Sequence, residues 1–150
     1  MTRRQAWGRA GVVLVAVFAL DQVTKALVRG GLSVGERRDL VGFLHLVRVN
    51  NKGIAFGALG GGQAIVVVIV AAALVGLVVY FVYTAGRPLV WLPTGLLLGG
   101  ALGNVFDRVR AGAVTDFLKV PHWPAFNVAD MAITAGVIAL VISLDAAHGR

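Results

Sequence analysis

AIVVVIVAAALVGLVVYFVY, residues 64–83, contains no charged residue. At the rise of an α-helix this run extends about 30 Å, the thickness of a bilayer's hydrocarbon core. Tyr80 and Tyr83 stand at its end, where interfacial aromatics belong. The stretch reads as a membrane-spanning helix. Toward the C-terminus, Thr84 to Arg87 form a tight loop. A further span over 88–106 has Trp91 near its start and Gly95, Gly99, Gly100 and Gly103 along it. Gly99 and Gly103 form a G-x-x-x-G, which permits close helix contact. Residues 107–124 turn polar, and a last span runs over 126–144 with Asn127 and Asp130 in its first turns.

Toward the N-terminus, residues 10–28 form the first span, preceded by the basic lead MTRRQAWGR. Its helical pattern continues through Asp21 to Val28, past the apolar length of a cleaved signal peptide, so it reads as a retained helix. Residues 30–62 are mixed, with turns at Gly30, Gly31, Gly35 and Gly60 to Gly62. Within them LVGFLHLVRVN (40–50) is too short to span and reads as one or two strands, followed by the turn NNKG (50–53). The expected architecture is an all-α integral membrane protein of four transmembrane helices with a small extracytoplasmic β-cradle. Residues 1–150 then form a single membrane-embedded domain, with spans at 10–28, 64–83, 88–106 and 126–144.

Composition agrees with that class. Of 150 residues 58% are hydrophobic and 14% charged, against about 25% charged in a soluble domain. The formal net charge of +7 lies between apolar runs, with no basic stripe interleaved with exposed aromatics. It suits headgroup contact and topology control, and nucleic acid is not expected as a partner. The absence of cysteine removes disulfides, thiolate zinc sites and a cysteine nucleophile. Ser143 lies far from the polar cluster, and Ser33 has no partner base other than Lys25. His45, His122 and His148 are scattered without metal-ligand spacing. Neither a metal nor a cofactor is expected.

An ionisable residue inside a span costs about 2.5–3.5 kcal/mol on insertion scales. Here Asp21, Lys25, Asn104, Asp107, Arg108, Asp116, Asn127 and Asp130 all lie near span ends beside the two polar loops. Four hairpin-connected spans bring those ends to one membrane face. Asp21 and Lys25 are spaced i, i+4 and can pair on one helix face. Asn104 and Arg108 share that spacing and suit a headgroup or a substrate backbone. Asp107 points away from them by helix geometry and is expected to pair locally. Asp116, between Val114 and Phe117, has an apolar setting that raises its pKa. If Asp116 and Asp130 face each other, they cannot both stay ionised and would share a proton as an acid–base pair. Spacing alone leaves open that they are separate capping or snorkelled carboxylates. A small four-span proton-coupled transporter is the competing class, but it calls for carboxylates near mid-membrane and often internal repeats. An assembly subunit held by Gly99 and Gly103 leaves the polar cluster unexplained.

DQVTK (21–25), NNKGIAFG (50–57), GGALGNVFDR (99–108), AVTDF (113–117) and FNVAD (126–130) together change that balance. In order and spacing the chain resembles the lipoprotein signal peptidases, also called signal peptidase II. The resemblance implies a bacterial inner-membrane aspartic endopeptidase that removes signal peptides from prolipoproteins, cutting before a diacylglyceryl-modified cysteine. It implies Asp116 and Asp130 as the catalytic pair, with Asp21, Lys25, Asn51, Asn104, Arg108 and Asn127 in support. Lys52 stands where the family usually has a small residue. The implied partners are lipid-modified prolipoprotein substrates and membrane lipids, with the enzyme monomeric. The Lys and Arg count leaves orientation ambiguous; the resemblance places both termini in the cytoplasm and the active site near the outer face.

Overall fold

The structure is a computed structural model and describes residues 1–53, 62–87 and 89–148. Among the described residues, four helices and three strands follow in the order α1 (Arg3–Gly31), β1 (Arg37–Val41), β2 (Leu44–Asn51), α2 (Gly62–Thr84), α3 (Trp91–Ala111), β3 (Val114–Lys119) and α4 (Val128–His148). Thr2 and Gln5 form a reciprocal capping box that starts α1. Among the described residues, three helical stretches are long and apolar enough to cross a membrane: Arg3–Gly31, Ala64–Thr84 and Val128–Asp145. The second half of α3 carries Asp107, Arg108 and Arg110.

The bundle is apolar outside and polar within. Val12, Leu27, Val68, Val75 and Val141 are exposed on helix surfaces, whereas Asp21, Lys25, Thr94, Asn104 and Asn127 are buried. Burying carboxylate, ammonium and amide groups while exposing aliphatic ones is costly in water and cheap in lipid.

Helix α3 is the hub, and glycine makes it so. A Cβ on Gly95 would stand 2.7 Å from Ala10 O, and one on Gly99 would stand 2.8 Å from Leu14 O. On the neighbouring face a Cβ on Gly100 would stand 2.6 Å from Ala129 O. The G-x-x-x-G seam is therefore spent on α1 inside the chain, which removes the ground for reading it as an assembly surface. At the far end Ala6, Ala10, Phe81, Ala85 and Val90 form a buried cluster. Trp7 packs edge-on against Phe81 there at 4.7 Å, and the Arg9 guanidinium lies 5.6 Å from the Trp91 ring. The start of α1, the end of α2 and the start of α3 thus share one end of the bundle.

The opposite end carries the sheet, antiparallel in the order β1-β2-β3. The 40–50 segment does form strands, but as a hairpin from Arg37 to Asn51 turning at Gly42 and Phe43. The third strand corrects the reading of 107–124 as polar connection. Alternation over VTDFLK is weak, because four of its six residues are buried, so period-2 patterning does not mark it. Gly112, at φ 67°, ends α3 with its N–H on Arg108 O and turns the chain into β3. The rest of NNKGIAFG beyond Gly53, and the turn at Gly60 and Gly61, lie outside the described residues.

Arginine joins sheet to bundle. Arg48 Nη1 donates to the carbonyls of Arg29 (2.9 Å) and Leu32 (2.8 Å) at the end of α1. A cation there satisfies orphan carbonyls and meets the negative end of the helix dipole. Arg48→Met is expected to destabilise the protein by about 1–2 kcal/mol, read as a lower thermal midpoint in detergent. An unchanged midpoint would show that the contact contributes nothing.

Candidate active site

Five elements deliver the polar side chains to one place. Register and capping explain the delivery. Val49 pairs opposite Asp116, which puts Asn51, two residues on, on the same face as Asp116. Asn51 Nδ2 donates to Asp116 Oδ2 at 3.0 Å, and Asn51 Oδ1 accepts from Gly53 N at 2.8 Å. After β3 the chain loops back: Phe126 N donates to Leu118 O at 2.9 Å, and Leu118 N to Phe126 O at 2.8 Å. That closure sets Asn127 beside Asp116.

Asn127 also starts α4. Its Oδ1 accepts from Asp130 N at 2.9 Å, and Asp130 Oδ2 accepts from Asn127 N at 3.1 Å. This is a reciprocal capping box with Asp in the Glu position. The remaining edge of Asn127 is its Nδ2, which donates to Asp116 Oδ1 at 2.8 Å and to Asn104 Oδ1 at 3.0 Å. Asn104 Nδ2 in turn donates to Asp130 Oδ1 at 2.9 Å. Both carboxylates are therefore tied to Asn127, with Asn51 as the second partner of Asp116 and Asn104 as that of Asp130.

Beneath them lies an ionic layer. Lys25 Nζ is 2.8 Å from Asp21 Oδ2 and 3.0 Å from Asp107 Oδ2, with all three residues buried. It also donates to Asn104 Oδ1 at 3.0 Å. The other Asp21 oxygen accepts from Ala129 N at 3.0 Å, so Asp21 caps α4 from a different helix and meets its positive end. The intrahelical Asp21–Lys25 pair exists, but it is one edge of a larger network.

Burial raises the Asp116 pKa to about 6, and the nearby Asp130 charge adds to the rise; hydrogen bonds from Asn51 and Asn127, and the Lys25 charge, pull the other way. A carboxyl that holds its proton near neutrality, beside a second carboxylate, is equipped for acid–base work. Two cavities reach the polar cluster, one at Asn104 and Arg108 and one at Asp130. One, of about 440 Å³, lies between α2, α3 and Ile133 of α4; aliphatic side chains such as Val70 and Leu74 line it, and Asn104 and Arg108 add its polar groups. Arg108 Nε is buried with no hydrogen-bond partner among the described residues. The other cavity, of about 410 Å³, is lined by Trp123, Phe126, Asp130, Met131, Thr134, Ala135 and Ile138.

The family model described as signal peptidase (SPase) II matches residues 13–145. The chain belongs to the signal peptidase II family. A lipoprotein signal peptidase of Halothermothrix orenii is 40% identical over 134 residues, covering 89% of this chain and 92% of that protein. One of Moorella thermoacetica is 44% identical over 131 residues, covering 86% and 87%. A bacterial membrane enzyme solved by the in meso method at 1.9 Å resolution superposes with a TM-score of 0.87 at 34% identity, over 91% of this chain and 92% of that one.

All eight residues expected at the site of a signal peptidase II are found together, with Arg108 on the cavity wall rather than in the amide network. The expectation for Asp107 is corrected. It does not pair locally: it reaches Lys25 on α1, accepts from Thr115 N on β3 at 3.1 Å, and accepts from Gln22 Nε2 at 3.2 Å. The sequence signal was its i, i+3 relation to Asn104, which puts both on the face of α3 turned to α1. Gln22, Thr115 and Arg29 were also missed. Arg29 Nη1 donates to Thr115 Oγ1 at 3.1 Å. None of these three carries a signal in isolation, since each acts through a neighbour from another element.

Proposed function

We propose that this chain is a membrane aspartic endopeptidase that removes signal peptides from prolipoproteins, cutting before the diacylglyceryl-modified cysteine, with Asp116 and Asp130 as its acid–base pair. One observation carries the reading: two carboxylates from different elements are joined through Asn127, and Asp130 opens on a largely apolar cavity. Asp116 holds its proton to about pH 6 and protonates the scissile carbonyl oxygen. Asp130, exposed to the second cavity, takes a proton from the attacking water. The roles reverse as the amine leaves. Free-enzyme kcat/KM is then expected to fall as pH rises through the region of 6, because the shared proton is lost; the value belongs to the pair.

Arg108 and Asn104 offer donors to substrate carbonyls at the polar end of the α2–α3 cavity. Apolar walls on both sides suit the signal segment and acyl chains. Helix α3 has 21 residues, about 30 Å of rise, so it crosses alongside α1 and makes four spans. The chain then sits in the bacterial inner membrane, both termini cytoplasmic, the sheet and dyad near the outer face, working as a monomer on lipid-modified substrates.

The test is cleavage of a diacylglyceryl-modified precursor by the purified protein in detergent, alongside Asp130→Asn. The unaltered protein should release the signal peptide, and Asp130→Asn should lose about 10³-fold or more in kcat. No cleavage by the unaltered protein overturns the function. Near-normal turnover by Asp130→Asn overturns the dyad.

A further inference from the structure

Asp107 reaches both carboxylates without touching either. It is 3% exposed and lines neither flanking cavity. Its Oδ2 accepts from the backbone N–H of Thr115, the residue before Asp116, at 3.1 Å. The same oxygen is 3.0 Å from Lys25 Nζ. Lys25 donates to Asn104, and Asn104 donates to Asp130. One arm thus runs through one peptide unit to Asp116, and the other runs through two side chains to Asp130. Gln22 Nε2 joins the ends of this layer, donating to Asp21 at 3.0 Å and to Asp107 at 3.2 Å.

We propose that Asp107 is the positioning residue for the acid–base pair, holding Asp116 through the Thr115 backbone and Asp130 through Lys25 and Asn104. The inference rests on the peptidase reading above. Its physical content is rigidity: β3 is a short strand paired on one side with β2, and the Asp107 carboxylate pins the peptide unit next to Asp116. A misplacement of about 1 Å at a reacting group can cost on the order of 100-fold in rate. Asp107 also balances charge. The charged groups that act on Asp116 are Asp130 on α4 and Lys25 on α1; Asp21, Arg29 and Asp107 join them through Lys25 and Thr115. Removing the negative charge of Asp107 leaves Lys25 with Asp21 as its one close counter-charge among the described residues.

Asp107→Asn tests both arms. An asparagine oxygen in the place of Oδ2 can still accept from Thr115 N and Lys25 Nζ, but without the charge, and its NH₂ then faces the Gln22 Nε2 donor, so both arms weaken together. Expected is a fall in kcat of about 10- to 100-fold with KM within about threefold, since no substrate contact is lost. The alkaline limb of kcat/KM should move to lower pH by about 0.5 unit, because Lys25 is less compensated and favours ionised Asp116. Lys25→Gln should move that limb to higher pH. The double variant Asp107→Asn with Lys25→Gln should return the limb toward its original place while kcat stays low. The double change leaves the layer's net charge as it was, with Asp21 still accepting from Ala129 N and Gln22 Nε2, so it also serves where the single change fails to fold. Titration of the Asp116 carboxyl ¹³C resonance in detergent reads the charge arm without turnover. Unchanged kcat in the folded variant, a rise in KM alone, or an unmoved Asp116 titration would overturn the proposal. Failure of the peptidase reading looks different: the unaltered protein would not cleave, while the Asp116 resonance would still respond to Asp107→Asn.

Discussion

Asp116→Asn is expected to lose about 10³-fold or more in kcat and, at neutral pH, to unfold at a higher temperature than the unaltered protein. The two effects share a cause. In the native state Asp116 keeps its proton to about pH 6, mainly through burial. In the unfolded chain it ionises near the ordinary carboxylate value. Between those pH values the native state binds a proton that the unfolded state has released. Stability therefore falls as pH rises from about 4 to 6, and the loss persists above that range. Asparagine carries no such penalty. Part of the gain is offset, because Asn51 and Asn127 each donate an N–H to a different Asp116 oxygen. An amide at position 116 can accept only one without forcing its partner to turn. A net gain of about 1–2 kcal/mol at pH 7 remains, fading to zero or below near pH 4. Thermal unfolding in detergent at the two pH values checks it. A variant less stable at pH 7 than at pH 4, relative to the unaltered protein, would contradict the account.

Gly100→Val is expected to destabilise the bundle by about 3 kcal/mol or more. A Cβ there would lie 2.6 Å from the carbonyl oxygen of Ala129 and 2.9 Å from Ile133 Cγ1. The first obstacle is backbone, which no rotamer change relieves. Helices α3 and α4 must separate, and that moves the start of α4, where Asn127 and Asp130 sit. Loss of activity should therefore accompany loss of stability. Gly76, on α2, supplies the comparison: a Cβ there meets nothing within 4 Å. Gly76→Ala should be neutral or stabilising by up to about 1 kcal/mol in helix propensity. Paired thermal scans decide between them. Equal midpoints for the two variants would mean that the α3–α4 seam yields more readily than its geometry implies.

The helices were legible because lipid exposure demands long uncharged runs. Residues 64–83 needed no further context; α1 starts seven residues before and ends three beyond its expected span, and α4 is shifted two residues at its start and four at its end. The hairpin was visible from LVGFLHLVRVN and its glycines. Strand β3 was not, because VTDFLK is buried over most of its length by α3, β2 and the returning Phe126. The candidate residues were legible one by one, since each polar group near a span end carries a cost that needs a partner. Asp107 shows the limit: its helix position relative to Arg108 pointed to a local partner, and only the crossing of α1 over Gly99 and Gly103 brings Lys25 within 3.0 Å.

Sequence by itself determined the membrane class, the end of the bundle where polar groups collect and the residue types available there. Those follow from hydropathy and helix period, which are local properties of the chain. Tertiary structure decided which groups are partners. Asn127 becomes a bridge between carboxylates only because β3 pairs with Phe126 and sets α4's first residue beside Asp116. Asp21 becomes a cap for α4 only because Gly103 lets α1 approach closely. Hydrogen bonds of about 3 Å between residues up to 108 positions apart depend on helix packing and strand register, and no local pattern encodes either.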